Sequence, residues 1–269
     1  MGGLFHRLRH PRRCYMVCAT SRSGSNLLTD GLHATRKAGR PKQFFLRKFE
    51  AEYGALRGLD AASDFAGYVR GIIEKTATSN EVFGFKVMGW YLGDFLDRLR
   101  TAFGSEPNDR RLLESVFPRL KFIHVVRGDK VRQAVSKARA LQSGLWKVQE
   151  GNAATAEPVF DPDLIARCQK ESIADEALWN RFFDNNTITP HVVTYEDLCS
   201  NYAATVSSAL NFLGVKDSRG VPERPSTVRQ ADALSEEWTR LFLERDERKR
   251  EGKDPPEWLR PPSASGGRI

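Results

Sequence analysis

The residues Ser21-Arg22-Ser23-Gly24-Ser25-Asn26 follow an apolar run, Tyr15 to Ala19, and precede Leu27-Leu28. A buried strand, a turn of small residues and the start of a helix together build an anion cradle. Backbone N–H groups converge at a helix N-terminus, and the helix dipole favours negative charge there. Gly24 lets the backbone approach a ligand closely. Ser21, Ser23 and Ser25 add hydroxyl groups, and Arg22 adds a permanent, fork-shaped charge. Two more basic residues mark the ends of apolar runs: Lys86 within Val82–Met88, and Arg127 just past Lys121–Val126. Ligands of parallel α/β sheets bind at the carboxyl ends of strands, so Arg22, Lys86 and Arg127 are nominated for one site.

The type of anion follows from what surrounds the loop. A nucleoside triphosphatase loop needs G-x-x-x-x-G-K-[ST], with its lysine on the β/γ-phosphates and its hydroxyl on magnesium. Here Gly24 is followed by Ser25-Asn26, and no apolar strand ends in an obvious magnesium-binding aspartate. The dinucleotide fingerprint G-x-G-x-x-G is absent as well. Ser136 lies on the segment after Arg127-Gly128-Asp129, where a strand-end arginine and a helix serine can grip one phosphate from two sides.

The elements that must position these residues alternate. Strands are expected at 15–19, 82–88, 121–126 and 191–195, and helices near 25–37, 63–76, 90–103, 130–145, 163–183, 201–213 and 235–249. Residues 42–59 are ambiguous, with Phe44, Phe45, Leu46 and Phe49 either lining a pocket or covering one; residues 104–111 read as a polar loop. Short apolar strands alternating with helices imply an α/β fold: a mostly parallel central sheet with helices on both faces.

A chain of 269 residues fits one such domain with small appendages. Residues 1–13 form a basic N-terminal arm, 14–250 the domain, and 251–269, rich in Pro, Gly, Ser and charge, a disordered tail. No apolar run approaches the roughly 18 residues that span a bilayer, so no transmembrane segment is expected. The arm has no signal-like apolar stretch, and Cys14, Cys18, Cys168 and Cys199 form no Cys-x-x-Cys pair. A reducing, cytoplasmic location without structural metal is the expectation. The net charge of +8 admits an anionic ligand, a membrane surface or nucleic acid. Its basic residues are dispersed without interleaved aromatics, which argues against specific nucleic-acid binding.

From Tyr15 to Asp246 the chain resembles the bacterial trehalose 2-sulfotransferase family. The resemblance is carried by Ser21 to Leu28; Ala38-Gly39-Arg40-Pro41-Lys42-Gln43-Phe44-Phe45; Phe85-Lys86-Val87-Met88; Arg127 to Ala140 with Leu141 to Trp146; Val193-Thr194-Tyr195-Glu196; and Arg229-Gln230-Ala231-Asp232. It implies a P-loop-like sulfotransferase fold and 3′-phosphoadenosine-5′-phosphosulfate as donor, without metal. It assigns donor binding to Arg22, Ser23, Gly24, Ser25 and Asn26, the 3′-phosphate to Arg127 and Ser136, a catalytic role near the sulfuryl group to Lys86, and donor closure to Arg229. Arg22 and the loop N–H groups would stabilise the leaving phosphate, and Trp146 would flank the acceptor pocket. The resemblance also implies a carbohydrate or glycolipid hydroxyl as acceptor, and a homodimer.

One position departs from the pattern. The family's acceptor-activating glutamate in Ala-Gly-x-Pro-x-Glu-Phe-Phe is Gln43 here. Glutamine cannot accept a proton as a general base. Three explanations stay open: Asp30, Glu50 or Glu52 serves as base; the acceptor is more acidic than a sugar hydroxyl, or not a sugar; or the protein binds the donor and transfers slowly or not at all.

Overall fold

The structure, a computed structural model, describes residues 11–146, 155–215, 220–225 and 232–250. Arm residues 1–10, Arg229 with its neighbours 226–231, and the tail 251–269 lie outside the described residues, as do 147–154 and 216–219.

In chain order the elements are β1 (Arg13–Ala19), α1 (Ser25–Ala34), α2 (Arg47–Ala55), α3 (Phe65–Thr76), β2 (Val82–Met88), α4 (Leu92–Phe103), α5 (Asp109–Val116), β3 (Lys121–Val126), α6 (Lys130–Ser143), α7 (Pro162–Asn185), β4 (His191–Thr194), α8 (Tyr195–Ser200), α9 (Tyr202–Phe212) and α10 (Ala233–Arg250). The sheet order is β2-β1-β3-β4, and every described pair is parallel. The first strand of the sequence therefore lies inside the sheet, with its last residue, Ala19, level with Met88 of β2 and Val125 of β3.

Successive side chains of a strand point to opposite faces. Phe85 packs edge-on against Phe45 and Phe95 and tilted against Phe117 on one face, while Lys86 reaches Ser25 and Asn26 of α1 on the other. His124 meets Phe183 of α7, and Trp179 of α7 donates from Nε1 to the Ala19 carbonyl at 2.9 Å. Helices thus cover both faces. Each large ring taken from water here contributes about 1.5–3 kcal/mol. Tyr15 crosses over Gly84, where an added Cβ would lie 2.1 Å from its ring, and its hydroxyl donates to the Ala38 carbonyl at 2.5 Å.

The ambiguous stretch after Pro41 divides in two. The Lys86 N–H donates to the Lys42 carbonyl at 2.9 Å, which lays the chain along the open edge of β2. Phe44 and Phe45 then enter the core, and α2 follows. Three expectations need correction. The polar loop at 104–111 contains the start of α5, capped by Asn108, whose side chain accepts from the Arg111 N–H; only Leu112 and Leu113 are buried, too short a pattern to signal a helix. Tyr195 does not end β4: Thr194 accepts from the Asp197 N–H and turns the chain into α8 at once. Helix α1 is also shorter than expected, ending at Ala34, with Arg36 in the left-handed region.

Candidate active site

The turn after β1 is tightly wound. Arg22 and Gly24 both have positive φ, 62° and 91°. Gly24 occupies the N-cap position of α1 without any side-chain cap, leaving the first-turn N–H groups without intrahelical partners. A Cβ at Gly24 would stand 2.8 Å from Tyr195 Cδ2, so glycine is required by space as well as by φ. Ser23 is wholly buried in the turn, and its Oγ has no hydrogen-bond partner among the described residues.

The basic residues nominated from sequence come together. Lys86, near the carboxyl end of β2, is buried, and its Nζ donates to Asn26 Oδ1 at 2.5 Å with Ser25 Oγ at 3.5 Å. Arg127 leaves β3 buried, with its guanidinium 4.1 Å from the centre of the Tyr195 ring and Nη1 3.5 Å from the Arg22 carbonyl. Its Nε is buried without a partner among the described residues. Arg22 Nε donates to Ser136 Oγ at 2.9 Å, and Nη1 donates to the Trp146 carbonyl at 2.5 Å. Burial and the neighbouring Arg127 lower the pKa of Arg22 to about 10, and burial lowers that of Arg127. Both remain cations at neutral pH. Two desolvated cations side by side favour an anion between them.

Helix α6 holds this arrangement. Gln133, fully buried, binds Thr20 and the Ser21 carbonyl from the turn preceding Ser136. Arg132 and Arg139 on either side of Ser136 pair with Glu236 and Asp232 at the start of α10. These ion pairs flank an apolar contact in which Trp238 and Phe242 of α10 join Ala134, Val135 and Ala138 of α6 in one buried cluster.

Arg22, Gly24, Ser25, Asn26, Lys86, Arg127 and Ser136 all line one cavity of about 1160 Å³. Ser23 is not among its lining residues. Gln43 lines the same cavity, as do the apolar side chains of Leu46, Phe49, Met88 and Trp90. Trp146 is 43% exposed and also lines it, so it is a wall residue and not a core tryptophan.

None of the three carboxylates considered as substitute bases borders this space. Glu50 is buried and takes a two-pronged bond from Arg98, at 2.7 and 2.8 Å, which occupies the carboxylate. Glu52 is exposed on α2 and Asp30 is half-buried on α1; neither is among the cavity residues. The described carboxylates that do line the cavity are Glu171, Asp175, Glu223 and Glu236. Asp175 is one that sequence reasoning missed. Its signal is present in the chain: Cys168, Ser172, Asp175, Trp179 and Phe182 recur at helical spacing and are all buried, which puts a carboxylate on the apolar stripe of α7.

Comparison with known proteins follows the same lines. The model of the Stf0 sulphotransferase family matches residues 14–245. The trehalose 2-sulfotransferase of Mycolicibacterium smegmatis is 30% identical over 273 residues, covering 87% of this chain and 95% of its own. That of Mycobacterium tuberculosis is 30% identical over 250 residues, covering 84% and 92%. Among solved structures, a sulfotransferase from Alicyclobacillus acidocaldarius is 14% identical, with a TM-score of 0.44 over 93% of this chain and 99% of that one.

Proposed function

We propose that this chain, which belongs to the Stf0 sulphotransferase family, transfers a sulfuryl group from 3′-phosphoadenosine-5′-phosphosulfate to a hydroxyl of a carbohydrate or glycolipid. The observation that carries the proposal is the convergence of Arg22, Lys86, Arg127 and Ser136 on one cavity over the uncapped start of α1. The donor's chemistry fits what is found there. Ser23 Oγ and Arg127 Nε are buried polar atoms lacking partners among the described residues, and Gly24 leaves open the space a side chain would fill. Unsatisfied buried donors are costly unless a ligand completes them.

The donor supplies a sulfur–oxygen bond already activated by a phosphate leaving group. This chain's residues bind and neutralise. The N–H groups of α1 and the hydroxyl of Ser25 face the 5′ end, where charge grows on the departing oxygen. Lys86, fixed by Asn26, stands beside them. Arg127 and Ser136 hold the 3′-phosphate and contribute affinity more than rate. Arg22, bonded to Ser136, joins the two phosphate positions. Leu46, Phe49, Met88 and Trp90 exclude water from the acceptor side, which strengthens the electrostatics within. Gln43 can orient an acceptor hydroxyl by hydrogen bonding but cannot take its proton. Arg229 is proposed to close over the donor. Four free thiols suit a reducing cytoplasm. Among the described residues no helix is long and apolar enough to cross a membrane. The proposal extends to a homodimer, which light scattering would register.

The relatives' activity makes trehalose the first acceptor to try. The proposal is tested by calorimetry with adenosine 3′,5′-bisphosphate. Saturable binding that weakens in Arg127→Ala supports it; absence of binding at near-millimolar nucleotide overturns it. Gln43 favours a second reading, a donor-binding protein without turnover. Labelled donor, offered with a panel of sugars, phenols and lipids, separates the two.

A further inference from the structure

We propose that Asp175 of α7 is the base that takes the acceptor's proton, the role Gln43 cannot fill; this rests on the transferase reading above. Helix α7 is pinned to the carboxyl end of β1 by Trp179 Nε1 on the Ala19 carbonyl. Asp175 lies about one turn before Trp179, roughly 6 Å further along the helix axis. There it passes the end of β2: its carbonyl lies 2.8 Å from where a Cβ on Gly89 would stand, three residues after Lys86. Asp175 is one of the residues lining the cavity shared by Lys86 and Gln43.

The other carboxylates of the cavity are committed or solvated. Glu171 is exposed and bonded to Lys137 Nζ at 2.8 Å, Glu236 is bonded to Arg132, and Glu223 is exposed. Asp175 is only 8% exposed, and its carboxylate accepts no hydrogen bond among the described residues. The charged groups acting on it are Lys137 from α6, which lowers its pKa, and Glu171 from its own helix, which raises it. Burial is the largest influence, and the pKa stands above the ordinary carboxylate value. Its oxygens are not among the fully buried unpaired atoms, so they reach the open cavity; a mostly buried carboxylate facing a cavity with a raised pKa is suited to proton transfer.

In the transfer, the acceptor O–H proton passes to an Asp175 carboxylate oxygen as the acceptor oxygen forms its bond to sulfur. The bond from sulfur to the bridging oxygen breaks, and its electron pair leaves with the 3′,5′-bisphosphate. Asp175 then releases the proton to water entering the cavity.

The test uses the full chain, Asp175→Asn, and the double variant Gln43→Glu/Asp175→Asn. The expected results are a fall in kcat for labelled transfer to trehalose of about 10²–10⁴-fold in Asp175→Asn, with loss of the acid limb of the kcat–pH profile. Bisphosphate affinity should be unchanged, and the double variant should recover part of the rate. Without donor or acceptor, carbon-13 titration of the Asp175 carboxyl should show a raised pKa, and the melting temperature of Asp175→Asn should equal or exceed that of the wild type. A variant that keeps both rate and acid limb overturns the inference while leaving donor binding intact, as does one that melts well below the wild type. A wild type that binds the bisphosphate yet transfers to neither trehalose nor water also overturns it. Absence of bisphosphate binding by the wild type removes the transferase reading itself.

Discussion

Gln133 Nε2 donates to Thr20 Oγ1 at 2.8 Å, and both side chains are wholly buried. The same amide reaches the Ser21 carbonyl, so α6 and the anion loop share one rigid joint. Gln133→Leu leaves Thr20 and Ser21 without that donor. The expected loss is about 1–3 kcal/mol of stability, or roughly 2–4 °C of melting temperature per kcal/mol at this chain length. Donor affinity should fall with it, because Ser136 sits on the next turn. Thermal melting with and without bisphosphate measures both effects.

Gly24→Ala places a Cβ 2.8 Å from the Tyr195 ring and forces alanine to φ of 91°. Strain of this kind is worth about 1–3 kcal/mol. Bisphosphate binding should be lost or reduced well beyond the stability change, since the loop itself must shift. Calorimetry of a still-folded variant gives the answer; unchanged affinity would show that the loop is not the phosphate cradle.

Arg127→Lys keeps the charge but loses the flat contact with Tyr195 and the fork-shaped donor set. Bisphosphate affinity should fall by roughly 10–100-fold, the equivalent of one charge-assisted hydrogen bond, while kcat at saturating donor changes little. A large drop in kcat with unaltered affinity would contradict the division of roles between Arg127 and Lys86.

His124 is buried against Phe183, with Nε2 lacking a partner among the described residues, and burial lowers its pKa to about 4 from an ordinary 6.5. Below pH 6.5 the unfolded chain binds a proton that the folded chain refuses. Stability should therefore be complete above pH 6.5 and decline as pH falls toward about 4. The decline should reach the order of 3 kcal/mol. Melting curves of wild type and His124→Phe across this range check the sign: the variant should lose the slope.

Asp232 has the same sign in a more acidic window, with an ion pair and not burial as the cause. Its bond from Arg139 lowers its pKa from 3.8 to about 2, so its contribution is present above pH 3.8 and disappears as pH falls through about 2. The carboxylate is half exposed, so the effect is modest. Emission from Trp238, buried on α10, should report loosening of that helix from α6 in this window, and Arg139→Gln should remove the transition.

Much of the donor half is legible in the sequence. The bounds of β2 and β3 agree with expectation, because their apolar runs end at Gly89 and Arg127. Arg22, Lys86 and Arg127 fall into one group because parallel sheets gather strand ends. The acceptor half is less legible. Gln43 stands out only as a departure from a pattern, and Asp175 lies far along the chain on a helix whose apolar period hides it. The docking of α10 combines the buried pair Trp238 and Phe242, one helical turn apart, with the ion pairs of Arg132 and Arg139 to Glu236 and Asp232; the apolar pair is a local pattern, whereas its partners on α6 lie far earlier in the chain. Glu50 is similar: its burial depends on Arg98, 48 residues away, and nothing in its own segment points to that partner.

The position of β1 inside the sheet has a consequence for how the protein comes to exist. It leaves the ribosome before the other strands of its sheet, yet its two neighbours are β2 and β3, and the residue that steadies its loop, Gln133, comes 113 residues after Thr20. Local bonds, such as the Ser23 N–H to the Thr20 carbonyl, do not tie the cradle to the rest of the site. A nascent chain stopped before α6 should retain no grip on nucleotide, and the slow closure of long parallel pairings should set the rate at which binding appears. Bisphosphate capture is thus an assay for completed folding, registering the moment when the first strand finally acquires both of its flanks.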